Sequence, residues 1–451
     1  MTGFLYGLGF FGFGVSWVFV SIHRYGEASL FLAILLTSLL IFSLSLYFVV
    51  LAWAFHYVNR HQSPRSIQTL FLFPSLWVCI EWLRSHLFTG FPWLLLGYSQ
   101  TDTPLAGFAP LIGTYGLSWL LVFFAASLVY LGRQVLAKQY RLATWPLALA
   151  SLFFLGGSQL YHHVHWTQTH PERYQLSLVQ GNLSPMEKFA KQEEEGYERY
   201  HRLSQPLVDS DLIVWPENAI VHAIPFINPV LDFFDAQAKA RQQTWILGIP
   251  TFQGEQYHNT LLTLGLNQQA YYKIHLLPFG DYLPFETYLR GIIQFFDLPL
   301  SAFRPGPKHQ APLQLKSWKA MPAICYEIAY SHLFKRLAAD SHLLLAISED
   351  GWFGDSLGPH QHLQIAQMRS LENEKPTVRS TSSGVSAFIG EKGQILSQAP
   401  QFQTTTLTHR LDARAGKTPW NTWGDWPSLL SSLTFLAWVA YPRTSTRTAH
   451  A

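Results

Sequence analysis

A bundle of membrane α-helices joined to an α/β domain is the fold class this sequence predicts, and three observations carry it. Charged residues make up 13% of the 451 residues, about half the usual ~25%. The shortfall is uneven. From residue 1 to about 162 the acids are Glu27, Glu81 and Asp102 alone, set among long apolar runs. From about 170 to 410, β-rich runs alternate with amphipathic ones, and one further apolar run follows. The chain is therefore expected to divide into a transmembrane bundle over 1–165 (about five spans), a soluble domain over 172–410 and a C-terminal transmembrane helix over 423–442.

A span needs roughly 20 mainly apolar residues. Candidates lie near 3–22, 29–55, 69–88, 115–132, 143–160 and 426–441. The first lacks the basic start and small-residue cleavage site of a secretory leader, so it is expected to be retained. The last is short, and Trp423, Trp426 and Tyr441 supply interfacial aromatics at its ends. Gly3, Gly7, Gly12 and Gly14 either permit close helix approach or mark a flexible apolar helix. Glu81 and Arg84 share a helical face, which suits mutual pairing or a functional group at membrane depth.

Orientation follows the basic residues. Arg60 and Arg65, then Arg133, Lys138 and Arg141, then Arg443 and Arg447 fall on one side if six spans alternate. That side is expected to be cytoplasmic. The soluble domain is then expected on the opposite face, which in a two-membrane bacterium is the periplasmic face of the inner membrane.

Several classes are excluded. A net charge of +3 without a basic stripe argues against nucleic acid. The two cysteines, Cys79 and Cys325, lie in different regions, so neither a disulfide nor a cysteine metal site is expected. His360 and His362 do not share a helical face, and His162, His163 and His165 cluster where a span ends. No metal and no cofactor are expected.

Strands are expected at 174–181, 211–216, 244–250, 258–265, 319–325, 342–348 and 377–390. Helices are expected near 187–205, 228–243, 330–340 and 360–375, the last stopped by Pro376. Reactive side chains gather at the strand ends: Glu217 closes DLIVWPE, Lys273 follows a strand-like run, and Cys325 closes MPAIC. Sites in open α/β sheets form beyond such ends. A carboxylate can take a thiol proton, and an ammonium can stabilise a thiolate and the oxyanion that its attack on a carbonyl creates. The residues alone also fit a buried small thiol, an exposed turn carboxylate and a lysine reaching the surface.

The local sequences narrow this choice. LVQGN (178–182), VWPENAI (214–220), YYKIHLLPFGDYLP (271–284), ICYEI (324–328), GWFGDSLGPHQHLQIAQMRSLE (351–372) and TGFPWLLLGYSQ (89–100) resemble the apolipoprotein N-acyltransferases, in order and over nearly the whole chain. The resemblance implies a nitrilase-like αββα sandwich. It implies Glu217 as general base, Lys273 as oxyanion-stabilising lysine and Cys325 as nucleophile, with Tyr326, Glu327 and Asp281 in support. The implied reaction moves an acyl chain from a phospholipid, typically phosphatidylethanolamine, through a Cys325 thioester to the N-terminal amine of a diacylated apolipoprotein.

Some positions depart from the family pattern. Asp281 stands where a glutamate is usual, Phe189 where tryptophan is usual, and Glu349 where asparagine is usual. The family usually has eight spans, and this chain begins at what resembles the third. Either the start lies upstream or this member uses six. A lid or lipid contact is expected of Ile292, Ile293, Phe295 and Phe296, in the apolar stretch 289–303, and of Trp352; the other reading of that stretch packs it into the domain's own core. The alternatives are a membrane-tethered nitrilase-like amidase using the same three residues, and a transporter with a large external domain.

Overall fold

The structure is a computed structural model that describes residues 1–60, 66–183, 185, 193–221, 228–284 and 303–440. Ile292, Ile293, Phe295, Phe296, Phe189, Arg65, Arg443 and Arg447 lie outside the described residues.

The apolar runs form helices. They are α1 (Thr2–Gly14), α2 (Trp17–Val20), α3 (Leu30–Arg60), α4 (Ser66–His86), α5 (Ala109–Leu136) and α6 (Tyr140–His163). Among the described residues, Leu30–Asn59 and Pro104–Leu136 are long and apolar enough to cross a membrane, and a third span forms if Thr2–Gly14 and Trp17–Tyr25 are joined across their 52° bend. This is fewer than the six expected. α4 carries Pro74 and the ionisable Glu81 and Arg84. The C-terminal helix has 15 residues, or about 22 Å at ~1.5 Å per residue.

Three of the glycines of α1 are contact points, Gly14 against the Leu94 side chain and two others against α3. A Cβ on Gly3 would fall 2.3 Å from the Phe48 carbonyl oxygen, and one on Gly7 would fall 2.8 Å from Ser45. Only a glycine lets α1 lie that close to α3. Gly12 meets nothing within 4 Å and has no such role.

Glu81 and Arg84 do not satisfy each other by hydrogen bonding. A Glu81 oxygen accepts from the Trp77 indole at 2.9 Å and from the Leu96 N–H at 2.8 Å. Arg84 donates to the carbonyls of Phe91, Trp93 and Leu94. Both side chains hold the chain that leaves α4, which is a structural use of a buried charge.

The α/β part begins at β1 (Thr167–Gln180) and runs through β2 (Leu212–Val214), β3 (Thr244–Gln253), β4 (Gln256–Gly265), β5 (Gln269–Tyr272) and β6 (Leu313–Leu315). It continues through β7 (Trp318–Ile324), β8 (Leu343–Ser348), β9 (Thr377–Thr381), β10 (Ala387–Ile389), β11 (Ile395–Gln398) and β12 (Thr405–Gly416). They make two six-stranded sheets, ordered β12-β1-β2-β3-β4-β5 and β11-β10-β9-β8-β7-β6. The sheets extend beyond the expected 172–410, because Thr167 to Thr169 pair with Gly416 to Arg414 beyond a register shift. The expected strand 377–390 is two strands, β9 and β10, paired antiparallel.

Strand periodicity sorts the layers. Leu176, Leu178, Val214 and Ile246 of the first sheet meet Ile324, Leu345, Ile347 and Val378 of the second in one buried cluster. On the outer face of the first sheet, Tyr200 of α7 (Glu193–Ser204) and Phe234 of α8 (Asn228–Ala240) cover Trp215 and Trp245. On the outer face of the second lie α9 (Ser331–Leu337) and α10 (Gly358–Asn373). The result is an αββα sandwich. The cluster under α10 also includes Trp93, Tyr98 and Tyr115, so the outer helical layer of the second sheet doubles as the floor on which the membrane helices rest.

Side chains lock that junction. Glu372 of α10 accepts from the Thr114 N–H at 2.8 Å and the Thr114 hydroxyl at 2.6 Å. Gly113 beside it has φ +64°, which breaks the helical path of α5. Gln361 accepts from the indoles of Trp17 and Trp93 and donates to the Gly14 carbonyl. After these contacts come α11 (Pro419–Trp423) and α12 (Trp426–Ala440).

Candidate active site

Glu217, Lys273 and Cys325 come from three separate strand ends; the first two are in contact, and the charges of both act on the thiol of the third. Glu217 lies three residues beyond β2 on a segment that crosses β3 at Gly248. A Cβ on Gly248 would stand 2.5 Å from the Glu217 Cα, so the glycine is what allows the crossing. Lys273 follows β5 directly, and its N–H donates to the Asn259 carbonyl at 2.9 Å. Cys325 follows β7 at the start of a 3₁₀ turn (Cys325–Ala329), with φ +54°. A non-glycine residue in that region costs about 1–3 kcal/mol and persists where its surroundings enforce it.

The Lys273 ammonium lies 3.4 Å from a Glu217 oxygen and 2.7 Å from an Asp281 oxygen, with all three side chains buried. The second Asp281 contact is the Leu277 N–H at 2.7 Å. Aspartate at this position thus reaches the lysine directly, despite its shorter side chain. Glu217 also accepts from Asn259 at 2.8 Å and from the Glu349 N–H at 2.8 Å. The Glu349 side chain turns away to accept from the Gly351 N–H.

Charge and burial set the proton states. Burial alone would lower Lys273, but the carboxylates of Asp281 and Glu217 outweigh it and hold the ammonium charged. Burial raises the Cys325 thiol well above its ordinary value, Glu217 adds to this and Lys273 opposes it. The sulfur is therefore protonated at rest. The thiolate that the ammonium was expected to stabilise exists only once a base removes the proton.

Glu327 accepts from the N–H groups of Ile324, Ile274 and His275 at 2.8, 2.7 and 3.1 Å, and from the Tyr271 hydroxyl at 3.2 Å. It ties the end of β7 to the segment after Lys273. Burial pushes its carboxyl up to about 7. Tyr326 is buried, with its ring 5.9 Å from Trp93 and 5.3 Å from Tyr330. Trp352 faces the N-terminal helices: its carbonyl accepts from Ser21 at 2.8 Å and its ring lies 6.3 Å from Tyr25.

Sequence reasoning passed over four polar residues here, Asn259, Ser348, Asp350 and Arg379, and weighed a fifth, His362, only as half of a metal pair. Ser348 lies 3.5 Å from the Cys325 sulfur and donates to Asp350 at 2.6 Å. His362 and Arg379 complete that cluster. Strand-end position would have flagged Ser348. Nothing local marks the others. Among the described residues, no group of histidine, cysteine or acidic side chains has the arrangement of a metal site.

The sequence matches the carbon-nitrogen hydrolase family over residues 175–419 and the apolipoprotein N-acyltransferase N-terminal domain over residues 1–127. The chain is 38% identical to the apolipoprotein N-acyltransferase of Azotobacter vinelandii, over 99% of this chain and 87% of that protein. The chain belongs to the apolipoprotein N-acyltransferase family. The relative from Coxiella burnetii, of the same name, is 38% identical over 96% of this chain and 89% of its own length. A solved carbon-nitrogen hydrolase superfamily protein of Xanthomonas campestris resembles it with TM-score 0.41 and 19% identity, over 58% of this chain and 97% of that one. As a family member, this chain is a membrane protein and an acyltransferase, and its α/β domain is nitrilase-like.

Proposed function

We propose that this chain completes lipoprotein maturation by moving an acyl chain from a phospholipid to the N-terminal amine of a diacylglyceryl-cysteine, through a Cys325 thioester. The single observation that carries the reading is the convergence of Glu217, Lys273 and Cys325, with the Lys273 ammonium 3.4 Å from Glu217 and both charges acting on the thiol.

In the first half-reaction Glu217 takes the proton of the Cys325 thiol as the sulfur attacks the ester carbonyl. The C–S bond forms, and the Lys273 ammonium donates to the oxyanion. The ester C–O bond then breaks, Glu217 returns the proton to the departing alkoxide, and a lysophospholipid leaves. In the second half the lipoprotein amine attacks the thioester. The C–N bond forms, the C–S bond breaks, and the amine proton passes through Glu217 to the sulfur.

Phosphatidylethanolamine is the donor proposed. The site is proposed to face the periplasm from the inner membrane, in keeping with the basic residues Arg133, in the last turn of α5, and Lys138, in the turn that follows it. The docking of α10 on the membrane helices supports a site held next to lipid. Purified protein is incubated with phosphatidylethanolamine and a diacylated lipopeptide, and the products are read by mass spectrometry. An acyl adduct on Cys325, followed by triacylated peptide, is expected. Free fatty acid without acylated peptide would transfer the site to the amidase reading.

A further inference from the structure

His362 is a fully buried polar side chain that the proposed chemistry does not employ. It stands on α10 next to Gln361, which holds Trp17, Trp93 and the Gly14 carbonyl on the membrane side. His362 turns to the sheet instead. Its Nε2 lies 3.2 Å from the Cys325 carbonyl oxygen. Its Nδ1 lies 3.0 Å from an Asp350 oxygen and 3.1 Å from an Arg379 nitrogen. That Arg379 nitrogen is 2.5 Å from the other Asp350 oxygen. The ring also packs 5.4 Å from Trp93 and 6.0 Å from Phe353.

Counting hydrogens places one on Nε2. The Cys325 carbonyl only accepts, so Nε2 carries a hydrogen. At Nδ1 the two neighbours pull in opposite senses: the Asp350 carboxylate accepts a hydrogen and the Arg379 guanidinium donates one. The Cys325 contact alone therefore fixes the hydrogen on Nε2. Asp350 stays charged against Arg379 and takes the Ser348 hydroxyl hydrogen at 2.6 Å. Burial and the Arg379 charge lower the basicity of the ring, in agreement with a neutral state.

We propose that His362 is a positioning residue for Cys325: its Nε2–H holds the carbonyl of the left-handed elbow at Cys325, and thereby the direction of the thiol, while the Asp350–Arg379 pair holds the opposite edge of the ring. The proposal rests on Cys325 being the nucleophile. It assigns to α10 two tasks on neighbouring residues, docking to the membrane helices through Gln361 and aiming the nucleophile through His362.

The test compares His362→Ala with His362→Gln in the full-length protein, in phosphatidylethanolamine mixed micelles. Glutamine keeps an N–H donor at similar reach. His362→Ala is expected to slow Cys325 acylation by about 100-fold, the scale of a misplaced reacting group, with KM for the phospholipid within about twofold of wild type. His362→Gln is expected to recover at least about tenfold of that loss, because the donor returns. An Ala variant within about threefold of wild type overturns the proposal, since misalignment of a reacting atom costs more. So does a Gln variant that is no faster than Ala, or one that does not fold. Histidine-selective ¹⁵N labelling of the wild-type protein reads the tautomer without any acyl transfer. A signal with a hydrogen on Nε2 that disappears in His362→Gln supports the assignment, and a neutral Nδ1–H form, whose Nε2 cannot donate, overturns it. If wild-type Cys325 takes no acyl chain while the tautomer is as stated, the acyl-transfer reading has failed and the geometric one has not.

Discussion

The Lys273 ammonium stands 2.7 Å from Asp281, closer than its 3.4 Å approach to Glu217. The lysine is thus anchored chiefly by Asp281, whereas the closest contacts of Glu217 are the Asn259 amide and the Glu349 N–H. Asp281→Asn removes the anchor and shifts Lys273 toward Glu217, which weakens the base. Single-turnover acylation of Cys325 is expected to fall by about 100-fold or more, the scale of losing one oriented oxyanion donor.

Glu217→Gln separates proton removal from charge. Loss of a positioned general base typically costs about 10²–10⁴-fold, and transfer is expected to fall within that range. The thiol, however, is expected to become more acidic, because the Glu217 charge raises it. Alkylation of Cys325 by iodoacetamide across pH checks this. The inflection is expected to move down in Glu217→Gln and up in Lys273→Ala, the cation that opposes the rise having gone.

Cys325→Ala is expected to fold and to abolish the acyl adduct. Intact-mass spectrometry after incubation with phospholipid reads the result. An adduct of unchanged yield in this variant would place the nucleophile elsewhere.

Glu327 carries a pH dependence of known sign. Its carboxyl is raised to about 7 in the folded chain from an ordinary value of 4.5. Between those values the folded chain holds a proton that the unfolded chain has released, so this group makes stability fall as pH rises from about 4.5 to about 7 and contributes no slope above that. Glu327→Gln removes the slope. It also turns an amide N–H₂ toward the N–H groups of Ile324 or Ile274, at a cost of about 1–3 kcal/mol. Thermal melts of both proteins in detergent across that window are expected to show a lower midpoint and a flatter profile for the variant.

Much of this molecule was legible in its sequence. VWPE, YYK and ICYE each end a buried run in a reactive side chain, which is where an α/β sheet presents chemistry. The resemblance supplied the roles. Pairing register supplied the remainder. Ile324 pairs with Ile347, which brings Ser348 beside Cys325. Ala346 pairs with Arg379, which sets that cation against Asp350. A slip of one residue would send these side chains to the opposite face. No local pattern states a register.

The polar strand β12 escaped for a similar reason. THRLDARA owes its extended form to its partner, β1, rather than to an apolar alternation of its own. Glu81 and Arg84 suited mutual pairing by spacing, whereas folding gave each a better partner on the chain between Phe91 and Leu96.

By itself the sequence determined that apolar helices are joined to an α/β domain, which reactive side chains close its buried runs, and which family the chain belongs to, because composition and short motifs are local properties. Only the tertiary structure decided that Asp281 holds Lys273, that the thiol rests protonated, and that α10 joins the membrane helices to the back of the nucleophile. Those facts depend on distances and desolvation between residues far apart in the chain, and such quantities exist only once the sheets have paired and packed.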